Sequence, residues 1–230
     1  MTAYRWLLFD ADNTLFDFDA AEEFALTRTL LYYGLDAGEE IKARYRAINS
    51  ALWAAFDRGE IAQEDLVIQR FARFLEGEGL SGDPEAWNRS YLDRLAGGSV
   101  LLPGAEALCR KLAGRYTLAL VTNGVPYVQR RRLERSPLAP LFGDRVYISG
   151  ELGCRKPEKE YFDKVLAALG IESRCKYALV IGDSLSSDIK GAFNARLDSV
   201  WLNRRGTAPG PISPTYEVTC FAELEALLLP

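Results

Sequence analysis

The stretch Arg5-Trp6-Leu7-Leu8-Phe9-Asp10-Ala11-Asp12-Asn13-Thr14 decides the reading of this chain, because an apolar run breaks at Asp10 into small and polar residues. A short apolar run that stops this abruptly reads as a buried strand running into a loop. Three comparable runs follow much later, at residues 116–121, 146–149 and 177–181, and residues 199–202 make a fifth. Helical patterns lie between them at residues 105–113, 127–134, 159–169 and 187–195. Strands alternating with helices of this length predict βαβ units and an α/β fold built on a Rossmann-like parallel sheet.

After the first strand the alternation breaks. From residue 18 to 96 the pattern is helical only, with Ile41, Tyr45, Ile48 and Leu52, then Ile68, Phe71 and Leu75, then Trp87, Tyr91 and Leu95 spaced to form apolar stripes. The expected organisation is a core of residues 1–16 and 98–230 with an inserted helical-bundle domain over residues 17–97. Gly97-Gly98 stands at the return to the sheet, either as a hinge or as a helix C-cap. A Pro-rich surface loop at 209–214 precedes a last strand and helix.

Composition narrows the chemistry. The 230 residues carry 28 Lys and Arg against 32 Asp and Glu, a formal charge of -4, with no basic surplus for a nucleic-acid backbone. Histidine is absent, so Ser-His-Asp hydrolysis, Cys-His proteolysis and His-ligated zinc are excluded. The four cysteines, Cys109, Cys154, Cys175 and Cys220, form no C-x-x-C pair and are expected as reduced thiols. The first apolar run is too short for a signal-peptide core, and no stretch approaches the ~20 apolar residues of a membrane span. A cytoplasmic location without a membrane partner is the expectation.

In an open parallel sheet ligands bind at the carboxyl ends of the strands. The residues just after each run should therefore converge: Asp10 and Asp12 after the first, Thr122-Asn123-Gly124 after the second, Gly182-Asp183 after the fourth, with Asp188 further on. Lys156, followed by Pro157, precedes the helix that leads into the fourth strand. Four carboxylates cannot share a small site uncompensated, so a divalent cation is implied, and all-oxygen ligation suits Mg²⁺. Against one Mg²⁺ and Lys156 the four acids leave an excess negative charge, which would ease protonation of one carboxyl as a general acid requires. Thr122 and Asn123 could cap the next helix. Asp188 could be a first-turn helix acid, could orient Lys156 or could ligate metal. Arg130-Arg131-Arg132 reads as a solvated helix face.

These residues resemble the haloacid dehalogenase superfamily. Asp10-Ala11-Asp12-Asn13-Thr14-Leu15 resembles its first motif, Thr122-Asn123-Gly124 its second, Lys156-Pro157 its third, and Gly182-Asp183 through Asp188 its fourth, in the family's order and spanning the chain. The resemblance implies Asp10 as nucleophile, forming an aspartyl-phosphate, and Asp12 as the acid/base. It implies Mg²⁺ held by Asp10, the Asp12 backbone carbonyl and Asp183, with Asp188 in support, and phosphoryl oxygens held by Thr122, the Asn123 backbone and Lys156. An acid at position 12 resembles phosphatases and phosphomutases, whereas dehalogenases lack it and transport ATPases carry Lys-Thr after the nucleophile. The inserted helices resemble the cap class of the family, in which the cap sets specificity.

The chain further resembles the bacterial pyrimidine 5′-nucleotidase branch through Phe9 to Phe16, Ala47-x-Asn49-x-x-Leu52-Trp53, Leu133-Glu134-Arg135 and Trp201-Leu202-Asn203. It departs at Asn13, where Glu is frequent, and at Cys154-Arg155, where a small or apolar residue is usual. The implied partner is a small phosphorylated metabolite, a nucleoside monophosphate, whose pyrimidine could stack on one of Tyr45, Trp53, Phe56, Trp87 or Tyr91. A sugar-phosphate or phosphoglycolate phosphatase, a β-phosphoglucomutase-type mutase and a silent phosphate-binding protein are the alternatives.

Overall fold

The structure, a computed structural model, describes residues 4–229. Six strands, β1 (Trp6–Phe9), β2 (Thr117–Thr122), β3 (Val146–Ile148), β4 (Ala178–Gly182), β5 (Asp198–Leu202) and β6 (Tyr216–Val218), form one sheet in the order β3-β2-β1-β4-β5-β6. Every neighbouring pair is parallel. The strand order reverses between β1 and β4, the switch point where ligand sites form in such sheets. Among the described residues eleven α-helices accompany the strands: α1 (Phe18–Tyr32), α2 (Glu39–Arg58), α3 (Gln63–Gly77), α4 (Pro84–Gly97), α5 (Ala105–Ala113), α6 (Pro126–Glu134), α7 (Ala139–Phe142), α8 (Ser149–Leu152), α9 (Lys159–Ala168), α10 (Lys190–Ala195) and α11 (Phe221–Leu228). None is long and apolar enough to cross a membrane.

The strands read as continuous apolar runs because both faces of the sheet are covered. Leu7, Phe9, Leu120 and Ile181 point to the face packed by α5 and α11, where Leu108, Leu112 and Leu224 meet them. Leu8, Val121 and Val180 point to the other face, against Phe162 and Val165 of α9 and Ala192 of α10. The register pairs Phe9 with both Leu120 and Ile181. The polar residues that follow these strands are thereby delivered at one level. All four cysteines are free thiols.

The chain forms two compact units, one of residues up to Phe18 together with Val100 onward, the other of Asp19–Ser99. After β1 the backbone turns back on itself, with Leu15 and Phe16 N–H both donating to the Ala11 carbonyl. Asn13 takes a left-handed conformation, φ 59°, which Asn tolerates better than Glu. Its Oδ1 accepts from Phe18 N–H at 3.2 Å. The outgoing and returning segments pair at Phe16 and Leu101, closed by Asp17 N–H to the Val100 carbonyl and Leu102 N–H to the Leu15 carbonyl, each at 2.9 Å. The long insertion thus leaves and rejoins the sheet unit at one place. Gly98 is the C-cap of α4, its N–H donating to the Leu95 carbonyl.

In the helical unit the expected stripe Trp87, Tyr91 and Leu95 is buried on α4, whereas on α2 and α3 the buried stripes differ from the apolar periodicity. On α2 the buried residues are Lys42, Tyr45, Asn49, Leu52 and Phe56, while Ile41 and Ile48 are only half-buried. Arg70 of α3 and Asn88 of α4 are also buried. Each has at least one local partner. Asn49 Nδ2 donates to Glu22 at 3.0 Å, Arg70 donates to Asn88 at 2.6 Å, and the Arg70 guanidinium lies 4.6 Å from the Tyr91 ring centre. Tyr45, Phe56, Trp87 and Tyr91 are buried in this unit's own core, and of the five stacking candidates only Trp53 stays partly exposed.

Candidate active site

Asp10 follows directly on β1, and its backbone N–H continues the sheet by donating to the Ile181 carbonyl at 2.8 Å. Its carboxylate is nearly fully buried. Lys156 reaches it from the segment before α9, and the buried ammonium spends its three protons on Asp10 Oδ1 at 2.6 Å, Asp188 Oδ1 at 2.7 Å and the Val121 carbonyl at 3.0 Å. Carboxylate oxygens of Asp10, Asp183 and Asp188 all lie within 4.8 Å of one another. Asp188 is a first-turn acid of the helical segment after β4, but a buried one that bonds Lys156 and lies within the acidic trio.

Several backbone features hold this arrangement. The segment after β4 begins with a π-helical turn, Leu185–Ile189, where the sequence suggested a helix starting at residue 187. Ser184 caps it through its hydroxyl to Ser187 N–H at 3.2 Å, and Asp188 Oδ2 folds back to accept from Ser184 N–H at 3.1 Å. Asp188 lies so close over Gly182 that a Cβ there would sit 2.2 Å from Oδ2, which is why glycine stands before Asp183. The Asp183 carbonyl accepts from the buried Trp201 indole at 2.9 Å, tying it to β5.

Thr122 and Asn123 do not cap α6, whose N-cap is Val125 without a side-chain bond. Asn123 instead clamps the Lys156 backbone from both sides, accepting from its N–H at 3.0 Å and donating to its carbonyl at 2.8 Å. Thr122 is buried and its hydroxyl accepts from Gly124 N–H at 3.0 Å.

Asp12 sits apart from the trio in its side-chain contacts. Arg132 forms an ion pair with Oδ1, and Gln129 donates to Oδ2 at 2.6 Å. Arg132 is fully buried, with its guanidinium 4.7 Å from the Phe16 ring centre. This corrects the reading of the Arg130-Arg131-Arg132 run as a solvated face: Arg130 pairs with Glu151 at the surface, but Arg132 turns inward. It also corrects the charge count, since Arg132 balances the excess negative charge that four acids would leave. Gln129 and Arg132 are the residues that the sequence reading missed, and their i, i+3 spacing just after the Thr-Asn-Gly motif is the signal that could have found them.

The electrostatics suit a hard cation. Burial pushes the Asp10 carboxyl well above its usual range despite Lys156 beside it, and Asp188, Asp183 and Asp12 push it further. Burial, then the Asp188 charge, pushes Asp183 up to about 7. Burial alone would lower Lys156, but the Asp10 and Asp188 carboxylates outweigh it and hold the ammonium charged. Three close carboxylates facing a single ammonium, with only oxygen donors present, fit Mg²⁺.

Comparison with known proteins agrees with this geometry. The haloacid dehalogenase-like hydrolase family matches residues 4–196. YfnB of Bacillus subtilis is 38% identical, aligned over 99% of this chain and 97% of its own. The crystal structure of YfnB, bound to magnesium, superposes with a TM-score of 0.92 over 98% of each chain. Two pyrimidine 5′-nucleotidases, YjjG of Escherichia coli and PynA of Streptococcus pneumoniae, are each 37% identical, covering 98% and 96% of this chain and 98% and 93% of theirs. With the six-stranded parallel sheet and the acids at its switch point, these end-to-end similarities make the chain a member of the haloacid dehalogenase-like hydrolase family.

Proposed function

We propose that this hydrolase is a magnesium-dependent phosphomonoesterase that passes the phosphoryl group through Asp10 to water, and that its substrates are pyrimidine nucleoside monophosphates. The observation that carries the chemistry is the buried Asp10, held through Oδ1 by Lys156 and within 4.8 Å of Asp183 and Asp188. The substrate class rests on 37% identity over nearly the full length to two pyrimidine 5′-nucleotidases. In this reading residues 17–97 form the specificity-setting helical domain and the remainder the catalytic core.

Asp10, Asp183 and the Asp12 backbone carbonyl would hold Mg²⁺, with Asp188 in support, and the cation would neutralise charge on the phosphoryl oxygens. Asp10 attacks phosphorus, the bond from phosphorus to the ester oxygen breaks, and Asp12, protonated from water before the step, gives that proton to the ester oxygen. Asp12 then takes a proton from water, whose oxygen attacks the aspartyl-phosphate and releases phosphate and Asp10. Thr122 hydroxyl and Asn123 N–H would hold the transferring oxygens. Lys156, all of whose protons are engaged, acts chiefly by fixing Asp10 and Asp188. Little else is required, because phosphoryl transfer depends mainly on alignment and charge neutralisation.

The raised Asp183 pKa has a measurable consequence. An unfolded Asp titrates near about 3.9, so from there to about 7 the metal-free folded protein holds a proton that the unfolded chain lacks. That stabilisation is fully present below the unfolded value and is lost as pH rises through about 7. Mg²⁺ requires the ionised carboxylate and displaces this proton. In chelator the unfolding midpoint should therefore fall between about pH 5 and pH 8, and saturating Mg²⁺ should raise it more at about pH 8 than at about pH 6. Thermal scans at each pH with and without Mg²⁺ measure both trends, and an equal Mg²⁺ increment at the two pH values would contradict the assignment of Asp183 to the metal.

Phosphate release by the purified protein across mononucleotides and sugar phosphates, with and without Mg²⁺, tests the function itself. Uracil or thymine nucleoside monophosphates are expected to give the highest kcat/KM. Preference for phosphoglycolate or a hexose phosphate over every mononucleotide would replace the substrate class and leave the phosphatase chemistry standing.

A further inference from the structure

We propose that Gln129 and Arg132 are positioning residues for Asp12, and that Gly124 of the Thr-Asn-Gly motif is glycine because Gln129 must pass across it to reach Asp12. The proposal rests on the reading of Asp12 as the acid/base.

Both oxygens of the Asp12 carboxylate are engaged, Oδ2 by Gln129 Nε2 at 2.6 Å and Oδ1 by the Arg132 guanidinium. The two donors are more deeply packed than their acceptor: Gln129 is 2% exposed and Arg132 0%, while the Asp12 side chain is 25% exposed. A partly exposed carboxylate on a loop has a broad terminal torsion and no preferred plane. Two fixed donors, one on each oxygen, give it one. Residues 129 and 132 lie one turn apart on α6 and so project from one face. Helix α6 begins at Pro126, two residues after the motif, so the motif and both donors belong to one short continuous segment.

Gly124 supplies an independent observation. A Cβ on it would lie 2.0 Å from Gln129 Nε2 and 2.7 Å from Gln129 Cδ, inside any allowed contact. Its backbone is not among the glycines with positive φ, so close approach, and not conformational freedom, is what the position demands. The glycine after Thr122-Asn123 thereby becomes part of the acid/base apparatus without touching substrate. Misplacing a reacting group by an ångström can cost on the order of 10²-fold in rate, so a device that fixes the carboxylate plane has a kinetic signature.

The test compares wild type with Gln129→Met, Gly124→Ala and Arg132→Lys in the presence of Mg²⁺, following first-turnover release of the leaving group from two esters. One is a pyrimidine nucleoside monophosphate, whose alkoxide needs a proton to depart. The other is an aryl phosphate, whose phenolate departs without one. Each variant should lose at least about tenfold on the nucleotide, a part of the roughly 10²- to 10⁴-fold that acid-base catalysis supplies, with KM little changed and a smaller loss on the aryl ester. Added to Asp12→Asn, Gln129→Met should produce no further loss, because its target is gone. Equal losses on both esters, additive loss in the Asp12→Asn background, or full activity in Gln129→Met and Gly124→Ala would overturn the proposal. Gln129→Met removes the donor at nearly constant volume and Gly124→Ala displaces it, so misfolding of either one leaves the other to decide. Wild type that releases nothing from either ester would overturn the phosphatase reading itself, a result distinct from any of these.

Discussion

Replacing Asp10 with Asn is expected to abolish turnover while leaving the protein folded. The carboxamide keeps the size of the side chain, and Lys156 retains Asp188 and the Val121 carbonyl as partners. What disappears is the nucleophile and one of the three carboxylates that share the site. A neutral amide neither attacks phosphorus usefully nor binds a hard cation as an anion does, so kcat should fall by several orders of magnitude. Steady-state rates at saturating Mg²⁺, read beside the thermal unfolding midpoint, check both halves of the expectation. A variant that keeps a tenth or more of the wild-type rate would mean that the phosphoryl group goes to water directly.

Lys156→Met should strongly destabilise the sheet unit. It leaves the buried carboxylates of Asp10 and Asp188 without their shared cation. Removing one partner of a buried ion pair costs about 3–5 kcal/mol, which for a protein of this size corresponds to roughly 6 °C or more in unfolding midpoint. Because the missing charge is positive, Mg²⁺ should recover part of the loss, and its stabilising increment should be larger in the variant than in wild type. Thermal scans in chelator and in Mg²⁺ measure this. A midpoint in chelator unchanged from wild type would show that Lys156 is not the counter-charge of the acidic trio.

The sheet and the trio were legible in the sequence for one physical reason. Strands buried on both faces are apolar throughout, so Leu7-Leu8-Phe9 and Ala178 to Ile181 stand out, and the polar residue after each is necessarily at the carboxyl edge. Asp10 and Asp183 could thus be placed together from strand ends alone, and strand register does the rest. Arg132 was hidden for the opposite reason. It is one of three consecutive arginines on a polar helix, and only the packing against Phe16 and the pairing with Asp12 distinguish it from its neighbours. The helical unit shows the same limit, because Lys42, Asn49, Arg70 and Asn88 are buried through mutual or local pairing that periodicity of apolar residues cannot register. The role of Lys156 was partly legible: its placement beside Asp10 followed from topology, but its full engagement with protein acceptors needed coordinates.

The most direct test of the account is the stereochemical course at phosphorus, measured with a chiral thiophosphate ester hydrolysed in isotopically labelled water. Transfer to Asp10 followed by transfer to water comprises two in-line displacements, so the account predicts net retention of configuration. Net inversion would mean a single displacement by water, and would contradict the assignment of Asp10 as the nucleophile.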